Sequence, residues 1–125
     1  MHKAHSLKLG RLGEKIACRY LRRRGYRIIK RNYVTNLGEV DIIASDKDAI
    51  VFIEVKTRCS DKFGLPCESV DIKKRRKLLR IAALCIKKLN IDGSKIRFDV
   101  VSIIVSGIFR KNVELIQDAF NGDDI

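Results

Sequence analysis

The sequence predicts an α/β fold: a mixed β-sheet flanked by helices, in the order α-β-β-β-α-β with a short edge strand after it. Three observations predict it. Two segments, Ser6–Arg24 and Asp71–Leu89, repeat apolar residues at three- and four-residue spacing, the period of a helix with one buried face. Around them lie short runs rich in Val and Ile, bounded by turn residues, as strands are. A hydrophobic content of 46% with a single proline is that of a chain with a packed core. At 125 residues one domain is expected, over residues 1–120, with 121–125 as a frayed tail.

In the first helix Leu9, Leu12, Ile16, Ala17, Tyr20 and Leu21 form the apolar stripe. Gly25 suits its C-terminal cap, and Arg22, Arg23 and Arg24 complement the negative end of its dipole. Gly10 and Gly13 weaken its first half, which marks a place where backbone comes close to a neighbour. Arg27–Asn32 reads as the first strand and Tyr33–Leu37 as a loop ending at Gly38. Val40–Ala44 and Ile50–Val55 then form a hairpin across the charged turn Ser45–Asp48. Thr57–Val70 has no clean period and reads as a loop. After the second helix, Lys95–Val105 is a long strand and Val113–Gln117 a short edge strand. The first three strands should run antiparallel. The helical crossover to Lys95–Val105 is long enough for a right-handed parallel connection.

Charge is unevenly spread. Residues 1–38 hold 11 Lys and Arg against 1 acid, and residues 71–90 hold 8 against 1. Between them, residues 39–70 hold 4 against 7, so an acidic centre lies between two basic segments. A formal net charge of +12 favours a polyanion as partner, and a basic frame around carboxylates favours binding phosphates broadly while holding a metal at one point. No apolar run approaches a membrane span, and the N-terminus lacks the apolar core of a secretory signal, so a cytoplasmic protein without a membrane partner is expected. Cys18, Cys59, Cys67 and Cys85 contain no C-x-x-C pair, and the two histidines lie at the terminus, which argues against zinc.

The chemistry concentrates in the hairpin, where Glu39, Asp41, Glu54 and Lys56 interrupt apolar runs at alternating positions. Three registers are open. If paired residue numbers sum to about 95, Asp41 faces Glu54; at about 93, Glu39 does; at about 94 the acids fall on opposite faces. Two facing carboxylates repel unless a cation lies between them, and magnesium or manganese is the ion that oxygen ligands suit. On this reading Asp41 and Glu54 are the metal ligands, and Lys56 orients water or offsets charge growing on a phosphate. The competing explanation is an ordinary cross-strand ion-pair set, Glu39 with Lys56 or Glu54 with Arg58, at a solvated edge. The Ile50–Val55 run, apolar on both faces apart from Glu54, favours a central strand instead. Lys73, Lys74, Arg75, Arg76 and Lys77 crowd the start of the second helix, where the dipole disfavours cations, so phosphate contact is expected of them.

Asp41 followed by Glu54-Val55-Lys56 resembles the PD-(D/E)xK signature of restriction-endonuclease-like nucleases. The wider sequence is similar to the YraN-type family of uncharacterised bacterial proteins. That likeness rests on Gly13-Glu14, Gly25-Tyr26, Arg31-Asn32, Gly38 to Ala44, Phe52 to Arg58, Phe63-Gly64, Pro66, Phe98 to Val101 and Ala119-Phe120, nearly the whole chain. The resemblance implies a restriction-endonuclease-like core, as in archaeal-type Holliday-junction resolvases, with an Asp41, Glu54, Lys56 centre. It implies dependence on magnesium or manganese and no organic cofactor. It also brings Glu14, on the first helix, to the metal. Beside the resemblance, Glu39 and Arg58 of the hairpin are candidates for a supporting role. Val40, not proline, precedes Asp41, and Val34 stands where relatives often carry a basic residue. A nucleic-acid-binding endonuclease follows as the expectation, with DNA favoured over RNA and branched DNA as one candidate substrate. The alternative is a catalytically inactive nucleic-acid-binding module on the same scaffold. Cutting two strands symmetrically needs two sites, for which a homodimer is the natural assembly.

Overall fold

The computed structural model describes residues 2–58, 72–106 and 110–121. Five strands form one mixed sheet in the order β1-β2-β3-β4-β5. The elements are α1 (His2–Arg23), β1 (Arg27–Thr35), β2 (Gly38–Asp46), β3 (Ala49–Arg58), α2 (Ile72–Leu89), β4 (Ile96–Ser106) and β5 (Arg110–Ile116). β1, β2 and β3 are antiparallel neighbours, β3 and β4 run parallel across the α2 crossover, and β5 returns antiparallel. The α/β architecture, the mixed sheet and the central place of β3 are as the sequence predicts. Among the described residues no helix is long and apolar enough to cross a membrane.

Each helix covers one face of the sheet. Beneath α1, Ala17, Cys18 and Leu21 pack on Ile42, Ala44, Val51, Ile53, Val101 and Ile103. Beneath α2, Leu78, Ile81, Ala82 and Cys85 pack on Val40, Ile43, Phe52, Phe98 and Val100, with Phe120 closing the layer. The Phe98 and Phe120 rings stack at 5.0 Å between centroids, and the Arg75 guanidinium lies 5.6 Å from the Phe120 centroid. Central strands buried on both faces explain why β3 and β4 read as continuous apolar runs.

Several boundaries differ from those the sequence predicts. β1 extends through Tyr33 and Val34 to Thr35, in place of the expected loop. It is an edge strand with mostly exposed side chains, so the apolar alternation that marks a strand is missing from its sequence. Its register shifts between Ile28 and Lys30, where Ile29 is an extra, half-exposed residue. The β1–β2 turn is held by Thr35 Oγ1, which accepts from Leu37 N–H at 3.1 Å and donates to Gly38 O at 2.9 Å. The hairpin turn between β2 and β3 is shorter than expected, Lys47-Asp48 alone, with Lys47 at φ 56°. Thr57 and Arg58 belong to β3 rather than to a loop. β5 begins three residues earlier than predicted, at Arg110. The expected loop beyond Arg58, the helix start at Asp71, Cys59, Cys67 and the tail after Asn121 lie outside the described residues.

A buried polar cluster ties β4 to the α1–β1 connection, to β2 and to the chain after β5. Asp99, 1% exposed, accepts from Tyr26 O–H at 2.7 Å, from Arg97 at 2.9 Å and from the Asp118 N–H at 2.9 Å. Arg97 also reaches Asp46 at 2.9 Å, and Gln117 donates to the Tyr26 oxygen at 2.8 Å. Burial, with Asp99 beside it, pushes the Tyr26 hydroxyl up to about 12. Every member has a partner, which is what makes a buried polar network tolerable.

Candidate active site

The β2–β3 ladder pairs Asp46 with Ala49 and proceeds to Ile42 with Ile53, so paired numbers sum to 95. Of the three registers this is the one that brings Asp41 to Glu54. Alternation then breaks. Val40 and Ile42, two apart on a strand, should share a face, yet Val40 packs under α2 and Ile42 under α1. The change happens at Asp41, opposite a stretch of β1 where Asn32 adopts φ 51°. Few residues other than glycine accept that conformation at low cost, and asparagine is one of them.

The break lets Asp41 turn toward β3. Its Oδ2 accepts the Val55 N–H at 2.8 Å, so a side chain replaces a strand carbonyl as acceptor there. Burial raises the Asp41 carboxyl first, and hydrogen-bonding contact with Glu54 and the charge of Glu54 raise it further. The Val55 N–H and Lys74 pull the other way, and the net is a carboxyl pushed up to about 7. Glu54 is 1% exposed, and its Oε1 is buried with no hydrogen-bond partner. Its other oxygen, Oε2, makes a close ion pair with Lys74 Nζ and lies 3.9 Å from Lys56 Nζ. Two acids in such contact, one with a buried oxygen that has no hydrogen-bond partner, repel unless they share a proton or a cation.

Helix α1 supplies the third acid. Glu14 lies near Asp41 and Glu39: burial raises its carboxyl first, both neighbouring acids raise it further, and Arg31 and Arg11 oppose them. Turned so that its amide nitrogen and not its oxygen faces the acids, Asn32 donates to both Glu14 oxygens at 2.8 Å and to Glu39 Oε1 at 3.1 Å. Glu14, Asp41, Lys56 and Thr57 line one cleft of about 310 Å³ together with Leu9, Gly10 and Val55. The helix reaches this position because Gly13 has no side chain. A Cβ there would stand 2.9 Å from Thr57 Cβ and overlap Thr57 Oγ1. Gly13→Ala should therefore push α1 off β3, cost about 1–3 kcal/mol in chemical denaturation and carry Glu14 away from Asp41. Thr57→Ala in the same chain, which removes the Oγ1, should restore part of that loss. Equal stability of Gly13→Ala and the wild type would show that the helix does not need this close approach.

The expected residues are thus distributed unevenly. Asp41, Glu54, Lys56 and Glu14 converge, and Glu39 joins them through Asn32. Arg58 ends β3, half-buried. The basic run of α2 divides: Lys74 turns in to Glu54, Arg75 covers Phe120, and the Lys77 stem lies against Gly38, while Lys73 and Arg76 are exposed. Arg22, Arg23 and Arg24 are exposed at the end of α1, with Arg24 4.7 Å from the Tyr20 ring centroid. Two participants carry no individual signal in the sequence. Asn32 is visible there only as part of the family likeness, and Lys74 is one cation among five.

The donor set fits a hard divalent cation. All its atoms are oxygens, one of them is orphaned and buried, and two carboxylates meet. Among the described residues no three His, Cys, Asp or Glu side chains close on one point. An ion here would draw on Asp41 and Glu54 and complete its shell from water and substrate phosphate, as magnesium often does. The raised Asp41 carboxyl also carries a pH signature. The folded protein holds this proton to about pH 7, whereas the unfolded chain releases it near 3.8. Its contribution to metal-free stability is complete below that lower value and is lost as pH rises toward 7. Denaturant titrations in chelator across this window should show stability falling, and Asp41→Asn should flatten the slope. A slope that survives Asp41→Asn would assign the proton to another group.

A sequence profile of the uncharacterised protein family UPF0102 matches residues 13–103. A UPF0102 protein of Clostridioides difficile is 44% identical over 111 residues, covering 89% of this chain and 95% of the relative. One from Alkaliphilus metalliredigens is 44% identical over 115 residues, covering 92% and 99% respectively. Another from Dictyoglomus thermophilum is 48% identical over 99 residues, covering 79% and 84%.

Proposed function

This chain belongs to the uncharacterised protein family UPF0102, and on that premise we propose that it binds nucleic acid and hydrolyses DNA phosphodiester bonds with a divalent metal. The observation that carries the reading is the meeting of Asp41 with Glu54, whose Oε1 is buried without a partner beside two lysines. Asp41 and Glu54 would hold magnesium or manganese, with Glu14 close enough to contribute through water. When bound, such an ion polarises the phosphate and lowers the pKa of the attacking water.

The rest falls to side chains and backbone of this chain. The Val55 N–H fixes the Asp41 carboxylate in orientation. Lys56, partly exposed in the cleft, orients water or offsets charge growing on the phosphate oxygens. Asn32 ties Glu14 and Glu39 together so that the acid wall keeps its shape. The exposed Lys73 and Arg76 at the start of α2 offer phosphate contacts near the site. A cytoplasmic enzyme that cuts both strands, including those of branched DNA, would act as a homodimer.

The Lys74–Glu54 ion pair favours a second reading, a nucleic-acid-binding module without catalysis. There the ammonium is the permanent counter-charge and no metal is needed. Calorimetric titration with manganese and magnesium separates the two, with DNA present to complete the site. The nuclease reading expects binding by the wild type and none by Asp41→Ala, together with metal-dependent cleavage of duplex or branched DNA. Nucleic-acid binding without any metal uptake would establish the module.

A further inference from the structure

Seven cations outside the Asp41–Glu54 pair share one surface. On the β1 side of α1, a cleft of about 380 Å³ is lined by Lys15, Arg19, Arg22, Arg23 and Arg31 with Cys18 at its floor. On the β4–β5 side, a second cleft of about 300 Å³ is lined by Lys15, Arg19, Arg110 and Lys111, over Leu12, Ile16 and Val105. Lys15 and Arg19 line both, so they stand on the ridge between. No carboxylate lines either cleft, and all seven cations are exposed. Among the described residues none of the seven makes an ion pair. The basic run of α2, by contrast, turns Lys74, Arg75 and Lys77 onto the protein itself.

Like charges gathered this closely repel one another, and of the seven Arg31 lies near an acid, Glu14. The surface is therefore incomplete without an anion. Its position is informative: the ridge begins at Lys15, next to Glu14 in the carboxylate cleft, and runs along α1 for roughly 12 Å to Arg23 at the rise of an α-helix. A flat anionic bilayer would meet the ridge and leave the wall cations of both clefts out of reach. A narrow, repeating polyanion can follow the ridge and meet both walls.

We propose that the outer face of α1, with Arg31 on one flank and Arg110 and Lys111 on the other, is the track on which a nucleic-acid phosphodiester backbone lies as it leads into the Asp41–Glu54 cleft. The proposal rests on the reading of that cleft as a phosphodiester site only for the direction in which the strand runs. It makes α1 and the two flanking strands the main electrostatic surface, and the start of α2 a minor one.

The test is fluorescence anisotropy with a labelled 20-base-pair DNA duplex over a salt series, beside phosphatidylserine-containing vesicles. Two variants compare the surfaces: Arg19→Ala/Arg22→Ala/Arg31→Ala on the track, and Lys73→Ala/Arg76→Ala on α2. The triple variant should bind the duplex more than ten-fold more weakly near 0.1 M salt. Its log–log salt slope should be shallower by roughly 0.9 for each phosphate that is no longer neutralised. The α2 variant should lose less on both measures, and circular dichroism should show both variants folded. Unchanged affinity and slope in the triple variant would overturn the track, as would wild-type binding to the vesicles and not to the duplex. A weakened triple variant beside a wild type that never cleaves keeps the track and removes the nuclease. Metal-dependent cleavage by a triple variant that still binds normally does the reverse.

Discussion

Chains carrying Asp41→Ala, Glu54→Ala or Lys56→Ala are expected to lose metal-dependent DNA cleavage by two orders of magnitude or more while still binding DNA. Removing an acid removes a charge that repels phosphate, so binding in Asp41→Ala or Glu54→Ala should hold or tighten. Lys56→Ala should lose a little affinity, since its ammonium is partly exposed in the cleft. The loss of rate follows from what each group supplies. A single donor that meets charge developing in a transition state is worth about a hundred- to a thousand-fold, and loss of the metal itself costs more. Glu54→Ala has a second effect that the others lack. It removes the carboxylate that pairs with Lys74, an ammonium whose charge Asp41 also feels. Single-turnover cleavage assays with matched anisotropy measurements check all three. Cleavage that persists in all of them would put the reaction at another site.

Asp99→Ala should produce the largest loss of stability of any substitution considered, about 3–5 kcal/mol in urea unfolding at neutral pH. The carboxylate it removes is the common acceptor for Tyr26, Arg97 and the Asp118 N–H. Without it a half-buried guanidinium keeps Asp46 and the Tyr26 oxygen but loses its buried carboxylate, and a buried hydroxyl loses its acceptor. Asp99→Asn, which keeps the shape and part of the hydrogen bonding, should cost less. Asp99 pairs on β3 with Ile53, next to Glu54, but its hydrogen bonds run to Tyr26, Arg97 and Asp118 and not to Asp41. Cleavage or binding per folded molecule should therefore stay at the wild-type level, and a change in either would tie this cluster to the site. A loss below about 1 kcal/mol would show that solvent replaces the carboxylate at little cost.

What is legible in the sequence is what periodicity encodes. Both helices, the central β3 and the parallel crossover are readable because buried faces repeat at fixed intervals along one element. β1 reads short because an exposed edge strand has no such interval. The register narrows to three alternatives and no further. Ser45–Asp48 is compatible with more than one turn length, and a shift of one residue reverses every face. The two-residue turn at Lys47-Asp48 decides it. Asn32 and Lys74 are illegible for a different reason. Their roles depend on partners brought in from α1 and β3, and on a left-handed residue inside a strand that no alternation rule anticipates. Asp99 is hidden in the same way, since its partner Tyr26 lies 73 residues away.

The Val55 N–H has one further consequence. Most amides in the middle of a sheet donate to a carbonyl whose charge never changes. This one donates to a carboxylate that gains and loses a proton near neutrality. Its nitrogen and proton resonances are therefore a built-in indicator of whatever occupies the cleft. They should move as Asp41 ionises, move again when a cation or a phosphate arrives, and lose the proton- and cation-linked shifts in Asp41→Ala. The protein reports the state of its own site through a backbone atom that no label has to reach.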